Sequence, residues 1–98
     1  MEINKQADGE SLILALNGKL DTITAPNLEA VLKESLDGTA KLVFDFTELE
    51  YLSSAGLRVL LEAQKTMNGA GQMVIRNVSV PVMEVFEITG FKDLFTIE

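Results

Sequence analysis

Ninety-eight residues with a hydrophobic fraction of 47% and no repeat or low-complexity tract describe one domain, and a chain of this size buries about 65% of the surface its unfolded form exposes. Zero Cys and zero His exclude disulfides and thiol chemistry, remove the usual zinc and transition-metal ligands, and leave no base for a Ser-His-Asp nucleophile. The net charge of −7, with eight Lys and Arg scattered from Lys5 to Lys92, opposes a phosphate backbone, so no nucleic-acid partner is expected.

The longest unbroken apolar run, Leu12 to Leu16, is five residues, against the ~18 needed to span a bilayer. Met1-Glu2-Ile3-Asn4-Lys5 has neither the basic nor the apolar region of a secretory signal. The expectation is a cytoplasmic domain without a membrane partner.

Ile3, Lys5 and Ala7 give a weak strand leading into Asp8-Gly9, a two-residue hairpin signal. Leu12-Ile13-Leu14-Ala15-Leu16 follows, apolar on both faces as an interior strand is. Asn17 to Thr22 reads as a polar turn. Thr24 then caps a helix with Pro26 in its first turn, Leu28, Leu32 and Leu36 as its buried stripe, and Asp37-Gly38 as its stop. Leu42-Val43-Phe44-Asp45-Phe46 reads as a buried strand and completes a βαβ unit with a right-handed crossover.

Thr47 to Leu52 reads as a short acidic connection into a second helix, with Ser54 as its N-cap, Leu57, Leu60, Leu61 and Gln64 on helical spacing, and Asn68-Gly69 as its end. Met73-Val74-Ile75 is a short interior strand. Ser79 with Pro81 opens a third helix carrying Val82, Val85 and Phe86 and closed by Thr89-Gly90; Phe91 to Ile97 gives a last turn and an edge strand. The whole is predicted as one α/β domain over residues 1–98, a mixed central β-sheet of four to five strands packed with three main α-helices and a short C-terminal turn.

The chemistry concentrates in Tyr51-Leu52-Ser53-Ser54-Ala55-Gly56-Leu57. A serine at a helix start sits beside unpaired backbone N–H groups and the positive end of the helix dipole, so an anion carried on Ser54 would be held there. Gly56 lets another molecule approach the backbone closely. A serine in that place also serves as a plain cap, and a glycine in a first turn as a packing device, and the residues alone leave both readings open.

In such sheets, sites gather beyond the carboxyl ends of the parallel strands. Gly18 to Thr24 and Thr47 to Ser54 are two loops of that kind, expected to be neighbours. That brings Asp21 near Ser53 and Ser54, although an aspartate there serves equally as a turn residue bonded to its own backbone. Asp45 is a strand-end carboxylate like the phospho-acceptor of a receiver domain, but such a site needs a carboxylate cluster for Mg²⁺, and none lies near the N-terminus. No metal and no cofactor are expected, since no glycine-rich phosphate loop occurs either.

Over essentially its full length the chain resembles the STAS domain, in particular the bacterial anti-sigma factor antagonists. The resemblance rests on Gly18-Lys19-Leu20-Asp21 followed by Ala25-Pro26, on Leu42-Val43-Phe44-Asp45-Phe46, and on Tyr51-Leu52-Ser53-Ser54-Ala55-Gly56-Leu57; Phe86-Glu87-Ile88-Thr89-Gly90-Phe91 is similar to the family's closing segment. It implies a small non-enzymatic α/β domain that binds an anti-sigma factor serine kinase of histidine-kinase-like ATPase fold and so frees a sigma factor. Phosphorylation of one serine by that kinase switches it off, and a phosphoserine phosphatase resets it.

Carried over by position, the phosphorylated serine falls on Ser54, with Ser53 as the alternative because many members have an aspartate in that place. The implied partner-binding residues are Asp21, Thr22, Ser53, Ser54, Ala55, Gly56 and Arg58. Arg58, four residues past Ser54, is placed to reach a phosphate on the same helix face, or is simply solvated. The free protein is expected to be a monomer. The alternative function is a structural STAS subunit of a transporter or stress-signalling complex without a phospho-switch; a hydrolase built on Ser54 lacks a nameable general base.

Overall fold

A computed structural model describes all of residues 1–98. Its elements are β1 (Glu2–Asp8), β2 (Ser11–Leu20), α1 (Ala25–Ser35), β3 (Lys41–Leu52), α2 (Ser54–Ala70), β4 (Gln72–Arg76), α3 (Val80–Thr89), a 3-10 turn (Phe91–Asp93) and β5 (Thr96–Ile97). The five strands lie in chain order. The β1–β2 pair is antiparallel and every later pair is parallel, because a tight hairpin joins the first two and a helical crossover joins each of the others. The hairpin turns on Gly9 and Glu10, with Gly9 at φ 62° and Asp8 still paired to Ser11, one residue later than Asp8-Gly9 suggests.

Strand periodicity puts Leu12, Leu14 and Leu16 of β2 and Leu42, Phe44 and Phe46 of β3 on one face of the sheet. All three helices bury their apolar stripes there: Leu28 and Leu32 from α1, Leu57, Leu60 and Met67 from α2, Val82 and Phe86 from α3 join the strand residues in one cluster. Val43 and Val74 are buried but lie outside that cluster, on the opposite face, where Ile13 and Ala15 are only half-buried. The doubly covered strand expected at Leu12–Leu16 is therefore covered by helices on one side.

Three boundaries differ from the sequence reading. Asn17 to Leu20 is strand rather than turn, and Thr47 to Leu52 is strand rather than connection: Asn17 pairs with Glu48, Gly18 with Leu49, Lys19 with Tyr51 and Leu20 with Leu52. Ten residues of β2 face twelve of β3, with register shifts after Ala15 and after Gly18. The extra residues make Phe46, Leu49 and Leu52 the inward ones, at intervals of three. That erases the alternation by which a strand is recognised.

The second helix also runs through Asn68 and Gly69 and ends at Gly71. A Cβ at Gly71 would stand 1.9 Å from the carbonyl oxygen of Ala40, so the chain returns to the sheet there only as glycine. By contrast Gly90, at φ 78°, closes α3 where expected.

Candidate phosphorylation and partner-binding site

The strand pair Leu20–Leu52 fixes the site. Asp21 and Ser53 are the next residues on the two adjacent strands, and the Ser53 amide still donates to the Leu20 carbonyl at 2.9 Å. The neighbourhood of Asp21 with Ser53 and Ser54, expected from topology, is thus observed.

The roles of the two serines differ by one position from expectation. Ser53, not Ser54, is the N-cap of α2: its backbone is extended (φ −95°, ψ 173°) and its Oγ accepts from the Gly56 amide at 3.4 Å. Ser54 is the first residue of the helix itself, exposed, with a hydroxyl that makes no hydrogen bond within the protein. The amides of Ser54 and Ala55 are likewise free of protein partners, as the first turn of a helix leaves them. One serine oxygen is committed to the fold and the other is open.

Asp21 is both a turn residue and a site neighbour. Its Oδ1 accepts from the amides of Ile23 and Thr24, each at 3.0 Å, and lies 3.1 Å from the Thr24 hydroxyl. The Thr24 amide, foremost, holds this carboxyl below its ordinary 3.8. Thr24 occupies the N-cap position of α1 without capping it, a correction to its expected role: its backbone is already helical, and its hydroxyl binds the Lys19 carbonyl at 2.8 Å and receives the Asp21 amide at 2.9 Å. The loop is tied to itself, so Thr22 and Ile23 are presented outward, Ile23 with 84% of its surface exposed.

Gly56 does not offer an open backbone to a partner. It is buried, and a Cβ on it would meet Leu20 Cγ at 2.6 Å and Leu52 Cδ1 at 2.8 Å. Its task is to let α2 close onto the β2–β3 ends, and the expectation of an outward role is corrected accordingly. Ala55 is half-buried; Arg58 is exposed, one helical turn from Ser54, and outside the three ion pairs Lys33–Glu29, Lys65–Glu62 and Arg76–Glu98. Ile23 and Val80 were not singled out by their sequence context, and Tyr51 only as part of the serine stretch. They expose apolar surface at the carboxyl ends of β2, β3 and β4, the edge that also carries Ser54.

Asp45 lies on the helix-free face and ties β3 to β4. Its Oδ1 accepts from the Asn77 side chain and the Thr47 amide, each at 3.0 Å, and from the Thr47 hydroxyl. These bonds, the one from Asn77 foremost, hold its carboxyl below the ordinary 3.8. Asn77 reaches it from a left-handed backbone at φ 59°. No group of three or more Asp or Glu that could hold a metal ion surrounds it. A groove of about 620 Å³ between α1 and α2 is lined by Leu32, Leu36, Val59 and Ala63 and does not include Ser54. No helix is long and apolar enough to cross a membrane.

One five-stranded mixed sheet carrying three helices places the chain in the α/β class. The family model of the STAS domain matches residues 2–98, and the chain belongs to that family. BtrV of Bordetella bronchiseptica is 41% identical over 88 residues, 88% of this chain and 76% of that protein. The anti-sigma-B factor antagonist of Staphylococcus aureus is 36% identical over 81 residues, 81% and 75% of the two chains. Among solved structures, unphosphorylated SpoIIAA matches with a TM-score of 0.79 at 17% identity, over 99% of this chain and 87% of that one. The phosphorylated form of Bacillus SpoIIAA gives 0.77 at 19% identity, over 99% and 91%. The fold is that of SpoIIAA.

Proposed function

We propose that the protein is an anti-sigma factor antagonist that binds an anti-sigma factor serine kinase while Ser54 is unmodified, so freeing a sigma factor, and loses that partner when the kinase phosphorylates Ser54. The observation that carries this reading is the division of labour between the serines: Ser53 Oγ caps α2, while Ser54 Oγ is exposed and unbonded. It is supported by the name of the Staphylococcus aureus relative and by the existence of SpoIIAA in a phosphorylated form. A phosphoserine phosphatase restores the binding form.

The switch works by exclusion from the partner rather than by refolding. A phosphate adds about −1.5 to −2 charge. In the free protein it meets the unpaired amides of Ser54 and Ala55 and the positive helix end, which gain ~0.3–1 kcal/mol, with Arg58 one turn away. In the complex the same phosphate must shed water beside the ionised Asp21, at a cost on the order of 2–5 kcal/mol, or about 30-fold to several-thousand-fold in affinity.

Incubation with the kinase and ATP followed by phosphopeptide mapping tests the assignment. Label is expected on Ser54; Ser54→Ala remains bound and unlabelled, Ser54→Asp binds poorly, and Ser53→Ala is still labelled. Label on Ser53 alone overturns it.

A further inference from the structure

The β3–β4 ladder ends at the pair Asp45–Arg76, yet β3 continues to Leu52 with β2 as its only paired strand. The unpaired stretch is about 20 Å long at ~3.3 Å per residue. The chain leaves β4 through the left-handed Asn77 and enters α3 after Ser79. On the side that β4 vacates, the Thr47 amide is satisfied by Asp45, and the backbone groups of Glu48 to Leu52 have no protein partner. Glu48, Glu50 and Tyr51 are exposed along this edge, which leads directly into Ser53 and Ser54.

An open strand edge with unmet donors and acceptors is a template for an added strand. Its charge selects the occupant. A second copy of this chain, itself at −7, would set Glu48 and Glu50 against like charges, which opposes self-pairing. A segment carrying Lys or Arg at alternate positions meets the same carboxylates favourably.

We infer that the free edge of β3 from Glu48 to Leu52 receives an extended basic segment of the protein partner as an added strand. The identity of that partner as the kinase rests on the function proposed above; the edge does not.

The test uses a seven-residue acetylated and amidated peptide of alternating lysine and valine, titrated into the isotope-labelled full chain and followed by amide chemical shifts. Shifts centred on Thr47–Leu52 are expected, with at least tenfold weaker binding of the glutamate–valine counterpart and of the lysine–valine peptide by the exposed double variant Glu48→Lys/Glu50→Lys. Two N-methylated peptides of unchanged charge complete it, one methylated at odd and one at even positions. One is expected to lose binding at least tenfold and the other to keep it, because alternate amides of an added strand face the sheet. Equal effects of the two methylation patterns, shifts centred on β1 or another surface, or no shift at millimolar peptide overturns the inference. Success here with no phosphate found on Ser54 would leave the edge standing and remove the kinase reading.

Discussion

Between Lys41 and Asp45, β3 lies between two parallel neighbours, and Leu42, Val43 and Phe44 are buried there. Between Phe46 and Leu52 it has β2 alone, buries every third residue, and turns Glu48, Glu50 and Tyr51 to solvent before delivering the two serines. If the inferred strand addition holds, the inner half of this strand serves stability and the outer half recognition. Two bulges mark the change: one extra residue of β3 is inserted at each register shift, and pairing with β2 resumes after both.

Substitution in the inner half has the largest expected effect on folding. Phe44→Ala removes a ring with no exposed surface from the centre of the cluster, and a loss of about 3–5 kcal/mol is expected. For a domain of this size that is a fall in Tm of at least about 12 °C. Calorimetry showing a smaller loss than for any ribbon substitution would reverse the division drawn here.

Beyond the far end of the outer half, Gly56→Val drives side-chain atoms into Leu20 and Leu52. A loss of roughly 1–3 kcal/mol is expected in urea unfolding. Unchanged stability would show that the glycine is open to solvent after all.

Asp45 marks the point where β4 departs, and Asp45→Asn weakens its bonds to Thr47 and Asn77. About 1 kcal/mol is expected at pH 7, below the ~1.5–3 kcal/mol of a buried charged hydrogen bond because the group is only half-buried. The folded carboxyl titrates below its unfolded value of 3.8, so its contribution is complete above that pH and is lost as pH falls through the lower folded value. The gap between wild type and variant should therefore narrow below pH 3.8, and a gap independent of pH down to acid unfolding would contradict the ionised tie.

In the outer half, Glu50→Lys should leave stability within about 0.5 kcal/mol. Its effect belongs to partner binding alone, and a comparable loss in denaturant unfolding would make the ribbon a structural element.

How much of this could be read from the residues follows the same line. Leu42 to Phe46, the Leu28/Leu32 stripe, the Ser79 cap and the Gly90 stop are local patterns, and each element formed where its residues indicated. The ribbon was missed because its inward residues recur at three and its partner, Asn17 to Leu20, resembles a turn on polarity alone. The nearness of Asp21 to the serines was legible from topology, whereas the choice of Ser53 as cap depends on a one-residue phase that helical spacing does not fix. Gly56 and Gly71 look alike in sequence to open glycines; only the docking of α2 on Leu20, Leu52 and Ala40 shows why neither tolerates a side chain.

On the function proposed above, phosphate on Ser54 expels the partner while leaving the fold unchanged. Calorimetric titration of the unmodified and the Ser54-phosphorylated protein with the anti-sigma factor kinase, alongside their melting curves, measures both parts at once. A loss of at least about 30-fold in affinity with melting temperatures within a few degrees of each other is the result expected. Equal affinity of the two forms, or a phosphorylated protein that has lost its fold, would contradict it.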